Sequence, residues 1–126
     1  MNRLIYDVRD NKFLQKTIDE RKKYFSEPFY IEDFGRYGTA EWWDNIEKAG
    51  LIEILQGKIT RVMPSGKGSI PRFELNVGNK NLIFNAEGEE GIYLVGGEVK
   101  LFFVKNDDVF VKKVGGDLVV RVELLK

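Results

Sequence analysis

From Leu51 to the C-terminus, turn signals recur so closely that no helix fits between the apolar runs they separate. They are Gly78-Asn79-Lys80, Glu87-Gly88-Glu89-Glu90-Gly91, Gly96-Gly97, Asn106-Asp107-Asp108 and Gly115-Gly116-Asp117. Gly and Asn supply the positive φ that tight hairpins demand. The runs between them read as strands: first Leu51 to Met63, as one strand or a hairpin around Gln56-Gly57, then 72–77, 81–86, 91–95, 98–105, 108–114 and 117–124. Parallel neighbours need crossovers of a dozen residues or more, so these strands are expected to pair in sequence as an antiparallel meander.

The first fifty residues follow a helical period instead. After a short strand or arm at Leu4-Ile5-Tyr6-Asp7-Val8, Asp10 offers an N-cap, and Phe13, Leu14, Ile18, Arg21 and Phe25 recur at helical spacing. Lys12, Lys16, Asp19, Lys22 and Lys23 occupy the opposite face, and Pro28 stands beyond the end. Residues 26–38 form an aromatic-rich connector (Phe29, Tyr30, Phe34, Tyr37) expected to lie against the core. Thr39 caps a second helix, Trp42, Ile46 and Ala49 make its apolar stripe, and Gly50 is placed to stop it.

The predicted fold class is therefore α+β. It is one domain spanning 1–126, with two N-terminal helices (1–50) packed on a curled antiparallel β-meander of six to seven strands (51–126). Strands 98–105 and 117–124 are apolar on both faces: Val99, Leu101 and Phe103 point one way, Phe102 and Val104 the other. Such strands predict either a partial barrel or a sheet covered on both sides, the second cover being a second subunit in one version.

Function is bounded mainly by what the chain lacks. Its 126 residues hold no histidine and no cysteine, which removes the commonest nucleophile–base pairs, nearly all structural zinc chemistry and any disulfide framework. No cofactor is indicated. Twenty basic and twenty acidic residues balance, so no whole-body attraction for nucleic acid or anionic membrane is expected, and a homo-oligomer is unopposed. Neither a signal peptide nor a membrane span is read in the sequence, and cytoplasmic placement is the default.

In a meander, alternate turns share one end of the sheet. The turns at 87–91 and 106–108 then bring Glu87, Glu89, Glu90, Asp107 and Asp108 to one rim, with Lys67 as the nearby base. Such a rim would dock a protein with a basic surface. A Ca²⁺ or Mg²⁺ site is the weaker alternative, and ordinary wet hairpin tips are the plain one. Trp42 and Trp43 lie about 100° apart on the helix, so Trp43 is placed at an edge as a partner anchor, the alternative being that both are core. Arg36, Gly38 and Thr39 precede a helix N-terminus and form a weaker anion-binding candidate. Pro64-Ser65-Gly66-Lys67-Gly68-Ser69 lacks phosphate-loop spacing and reads as a hairpin loop.

These features favour a non-catalytic protein-interaction protein, of which a bacterial immunity or antitoxin-like inhibitor is one form. The alternatives are an apolar-ligand-binding domain with a curled sheet and a hydrolase built on carboxylates.

Overall fold

The computed structural model describes residues 2–25, 29–64, 66, 70–111 and 117–125. Its strands are β1 (Arg3–Asp7), β2 (Glu53–Met63), β3 (Arg72–Val77), β4 (Lys80–Asn85), β5 (Glu98–Lys105) and β6 (Asp117–Leu125). Its helices are α1 (Lys12–Tyr24), α2 (Ala40–Lys48) and the short α3 (Asn106–Val109), with 3-10 turns at Val8–Asp10, Glu32–Phe34 and Glu90–Ile92. The fold is α+β, with an open, six-stranded antiparallel sheet in the order β1-β6-β5-β2-β3-β4. Among the described residues no helix is long and apolar enough to cross a membrane.

The chain forms two compact units. The first comprises Met1–Tyr6, Ile54–Phe103 and Val119–Lys126; the second comprises Asp7–Glu53 and Val104–Leu118. The change of hydrophobic period near residue 50 thus falls close to a unit boundary, but a later stretch of chain joins the helical segment.

In the first unit, pairing in sequence holds for β2-β3-β4 and for β6 beside β5, and it breaks between β4 and β5. β5 lies on the far side of β2, about 14 Å from β4 at the usual strand spacing. Residues 86–97 span that gap with their own anchors: Ala86 and Tyr93 belong to the buried core. The strand expected at 91–95 is therefore not one. It is the end of a 3-10 turn followed by a tight turn, with Leu94 and Val95 exposed. Residues 106–109, expected as a turn leading into a strand, are helical, and 112–116 lie outside the described residues.

β2 is one strand, and Gly57 is not at a turn. A Cβ there would stand 2.2 Å from the backbone carbonyl oxygen of Asn76, so the missing side chain lets β3 approach. Gly96 is the other glycine the sheet needs. Ile59 N–H donates to Gly97 O and Gly96 N–H donates to Ile59 O, each at 2.8 Å, so two residues oppose one. Gly96, at φ 93°, is the left-handed residue of this β-bulge.

The inward side chains of this unit form one core of Ile59, Phe73, Leu75, Phe84, Tyr93, Val99, Leu101, Phe103 and Val122 with their neighbours. Phe73 stacks on Tyr93 at 4.7 Å. Phe84 of β4 meets Phe103 of β5 at 5.7 Å although two strands lie between theirs, which only a curved sheet allows. As expected for strands apolar on both faces, adjacent residues are buried at Phe103 and Val104 of β5 and at Val119 and Val120 of β6. Elsewhere the opposite face is polar, Thr60 donating to Glu74, Asn76 to Asn81 and Arg121 to Glu123. Phe102, half-buried, sits under Lys100 and Arg121.

The second unit buries Val8, Ile18, Tyr30, Tyr37, Trp42, Trp43, Ile46, Val104 and Val109. Its aromatic connector packs as expected, Tyr37 meeting Trp42 at 4.9 Å and Phe110 at 5.3 Å, both edge-on. Thr39 caps α2 by accepting the Trp42 N–H. Asn11, rather than Asp10, caps α1, because Asp10 is spent in the preceding 3-10 turn. Ser26 to Pro28, where a stop to α1 was expected, lie outside the described residues.

Candidate functional site

The sheet order is not the meander from which an acidic rim is expected, and the residues of that rim fall in both units, Glu87 and Glu89 in the first and Asp107 and Asp108 in the second. β4 ends at Asn85, paired with Arg72, which in turn pairs with Met63 at the C-terminal end of β2. β5 runs antiparallel to β2 and starts from Ile59, so it leaves the sheet at the other end. The bends after β4 and after β5 therefore depart from opposite ends. Glu87 is half-buried and Glu89 exposed; the Glu90 side chain and Lys67 lie outside what is described. Asp107 is exposed and Asp108 half-buried in the single turn of α3. Among the described residues no three carboxylates stand close enough to hold a metal ion.

The bend at Glu87 is instead a structural joint. Tyr93 Oη donates to the Glu87 carbonyl at 2.6 Å. Burial pushes the Glu87 carboxyl above its usual range. Burial, and then the nearby Glu87 charge, push the Tyr93 phenol up as well.

Trp43 is not a surface anchor. It is only 5% exposed, and the Arg9 guanidinium lies 4.1 Å over its ring. Arg9 reaches that position because Asp7, itself buried, accepts from its Nε and Nη2. Both indoles are core: Tyr37 packs edge-on against Trp42 and Arg9 covers Trp43.

The anion candidate is likewise occupied by the protein's own groups. Arg36 Nε donates to Gln15 Oε1 at 2.6 Å, and its Nη2 donates to Gln15 O at 3.0 Å and Asp19 Oδ1 at 2.7 Å. Thr39 Oγ1 donates to Arg36 O and caps α2, while a Cβ at Gly38 would press on Leu14. These residues tie the connector to α1. The loop at 64–69 lies largely outside the described residues.

The outward face of α1 carries a feature that its helical spacing does not reveal. Phe13 and Phe25 recur at helical spacing with Ile18, yet Phe13 is 79% exposed and Phe25 58%, and of α1 only Ile18 is buried. Phe13 and Tyr24 lie eleven residues apart, about three turns, so they point the same way roughly 16 Å from each other. Tyr24 is 81% exposed. Lys12, Lys16 and Lys23 are exposed around them, Lys22 is exposed on the other side of the helix, and Arg21 stacks between Phe25 and Phe29. Phe13 and Leu14 lie about 100° apart, but so do Trp42 and Trp43, which are both buried, so helical spacing alone does not mark Phe13 as exposed.

A cavity of about 690 Å³ opens on the polar face of the first unit, among Asn2, Gln56, Lys58, Glu98, Lys100 and Leu125. Its lining does not suit an apolar ligand, and the apolar inner positions of β5 are packed into the core.

The sequence matches no protein-family model and no curated protein.

Proposed function

We propose that this chain acts by binding another protein, without catalysis, through the outward face of α1. The observation that carries this reading is the pair Phe13 and Tyr24, two large rings standing in solvent on one side of a helix. Exposed aromatics held at helical spacing are the kind of residue that becomes buried in a partner's groove. α1 carries five basic residues against two acidic ones, and Asp19 is already paired with Arg36. The partner is therefore a protein with an apolar groove and an acidic rim, in place of the basic surface expected from the carboxylate bends. The absence of histidine and cysteine supports a task that needs no chemistry. An immunity-like inhibitor, covering the active site of a toxin in a bacterial cytoplasm, is the narrower form of the reading.

The test is affinity capture from the native host, including competitor-stimulated cells. Wild-type protein should retain a defined polypeptide that is released by salt and lost with the double variant Phe13→Ser, Tyr24→Ser. Retention that survives the double variant removes α1 as the surface. Failure to retain any specific polypeptide removes the binding function itself.

A further inference from the structure

We propose that β4 is a docking edge for a second copy of this chain, the two β4 strands pairing antiparallel about a two-fold axis at Ile83. β4 is the last strand of the sheet and pairs with β3 alone, unbroken from Arg72↔Asn85 to Val77↔Lys80. The two-residue turn Gly78-Asn79 makes Val77 and Lys80 a mutually hydrogen-bonded pair. Alternation extends this to Leu75 with Leu82 and Phe73 with Phe84, and the Ala86 N–H to Pro71 O bond continues it. The intervening residues Asn81, Ile83 and Asn85 therefore aim their backbone N–H and C=O groups away from β3. Among the described residues, the one partner these outward groups have is the Glu87 N–H, which donates to Asn85 O at 3.1 Å.

Edge strands normally carry a device against pairing: a proline, a bulge, an inward charge or a covering loop. β4 reads Lys-Asn-Leu-Ile-Phe-Asn, has no register shift, and bears one charge, Lys80, at its turn end. The opposite edge is better guarded. β1 carries Arg3 and Asp7 at its ends, and the chain at Gly88 lies against it, where a Cβ would come within 2.9 Å of Ile5 O.

Self-pairing centred on Ile83 fits the side chains as well as the backbone. Ile83, 47% exposed, meets its own symmetry mate. Asn81 then faces Asn85, Leu82 faces Phe84, and Lys80 falls opposite Ala86, so no like charges are opposed. The balanced formal charge leaves no long-range repulsion between copies.

The chain has no cysteine, so Ile83→Cys introduces a single thiol at the proposed axis. Hydrogen-bonded antiparallel partners stand about 5.5 Å apart at Cα, within disulfide reach. Sedimentation of the wild-type protein is expected to show a monomer–dimer equilibrium between about 10 µM and 1 mM, the range of a weak contact. In a glutathione buffer Ile83→Cys should form covalent dimer severalfold faster than Leu94→Cys, an exposed control in a turn. Ile83→Lys should be monomeric with an unchanged circular-dichroism spectrum. If lysine is not tolerated, Ile83→Pro removes the outward N–H, a loss that an edge strand accepts, and should give the same result. A wild-type monomer up to about 1 mM overturns the proposal. So does a dimer that survives loss of Ile83, equal cross-linking of the two cysteine variants, or an edge occupied only by a different polypeptide.

Discussion

Arg9 grips the buried carboxylate of Asp7 with two parallel hydrogen bonds, from Nε to Oδ1 at 2.9 Å and from Nη2 to Oδ2 at 2.7 Å. The same guanidinium covers Trp43, so one side chain satisfies a buried acid and closes an aromatic surface. Its pKa is pushed up first by the hydrogen bond to Asp7. Arg9→Ala would leave Asp7 buried without its counter-charge. The expected loss is about 2–3 kcal/mol, at the lower end for a buried pair because Arg9 is a third exposed. Urea denaturation checks it. Arg9→Lys should recover only part of the loss, since an ammonium offers neither the fork nor the flat face.

Two carboxylates should give opposite pH signatures. Burial raises the Glu87 carboxyl in the folded state, so the fold binds its proton more tightly than the unfolded chain does. That contribution is fully present below the ordinary value of 4.5 and is lost as pH rises through the folded value. Glu123 is lowered chiefly by its hydrogen bond from Arg121, so its contribution is present above 4.5 and is lost as pH falls. Melting temperatures measured from pH 3 to 7, a range set by these carboxylates, should show Glu87→Gln gaining on wild type toward neutrality. Glu123→Gln should lose most at neutrality and converge on wild type in acid.

Gly57→Ala tests the close approach of β2 and β3. A Cβ 2.2 Å from Asn76 O cannot be accommodated without moving backbone. A loss of about 1–3 kcal/mol is expected. Hydrogen exchange should locate the loosening at the Lys58↔Asn76 end of the ladder, leaving β3–β4 protected.

Replacing the exposed rings of α1 should cost little. Phe13→Ser and Tyr24→Ser are expected within about 0.5 kcal/mol of wild type, whereas Ile18→Ala on the buried side should lose about 2–4 kcal/mol. Thermal melts of the three variants separate a face kept for a partner from one needed for folding. Large losses at Phe13 or Tyr24 would mean that these rings serve the fold.

Much of the local structure was legible from residue types. Thr39 capping α2, Gly50 ending it and the turn at Gly78-Asn79 all depend on neighbours within a few residues. Other readings failed where a residue type has two uses. Gly57 looked like a turn and serves as a gap for a neighbouring strand. Leu94 and Val95 looked like strand residues and stand exposed in a turn. Trp43 and Arg36 read locally as surface features, but Arg9 and Gln15, distant in sequence, claim them.

By itself the sequence determined an antiparallel α+β chain, because its turn spacing leaves no room for crossover helices and its hydrophobic period changes once. Tertiary structure alone decided that β5 pairs beside β2 rather than β4. Strand alternation specifies which face of a strand is buried and is silent on which edge it joins. The connection from β4 to β5 is anchored by Ala86 and Tyr93, both buried in the core of the first unit, a placement that no local pattern specifies.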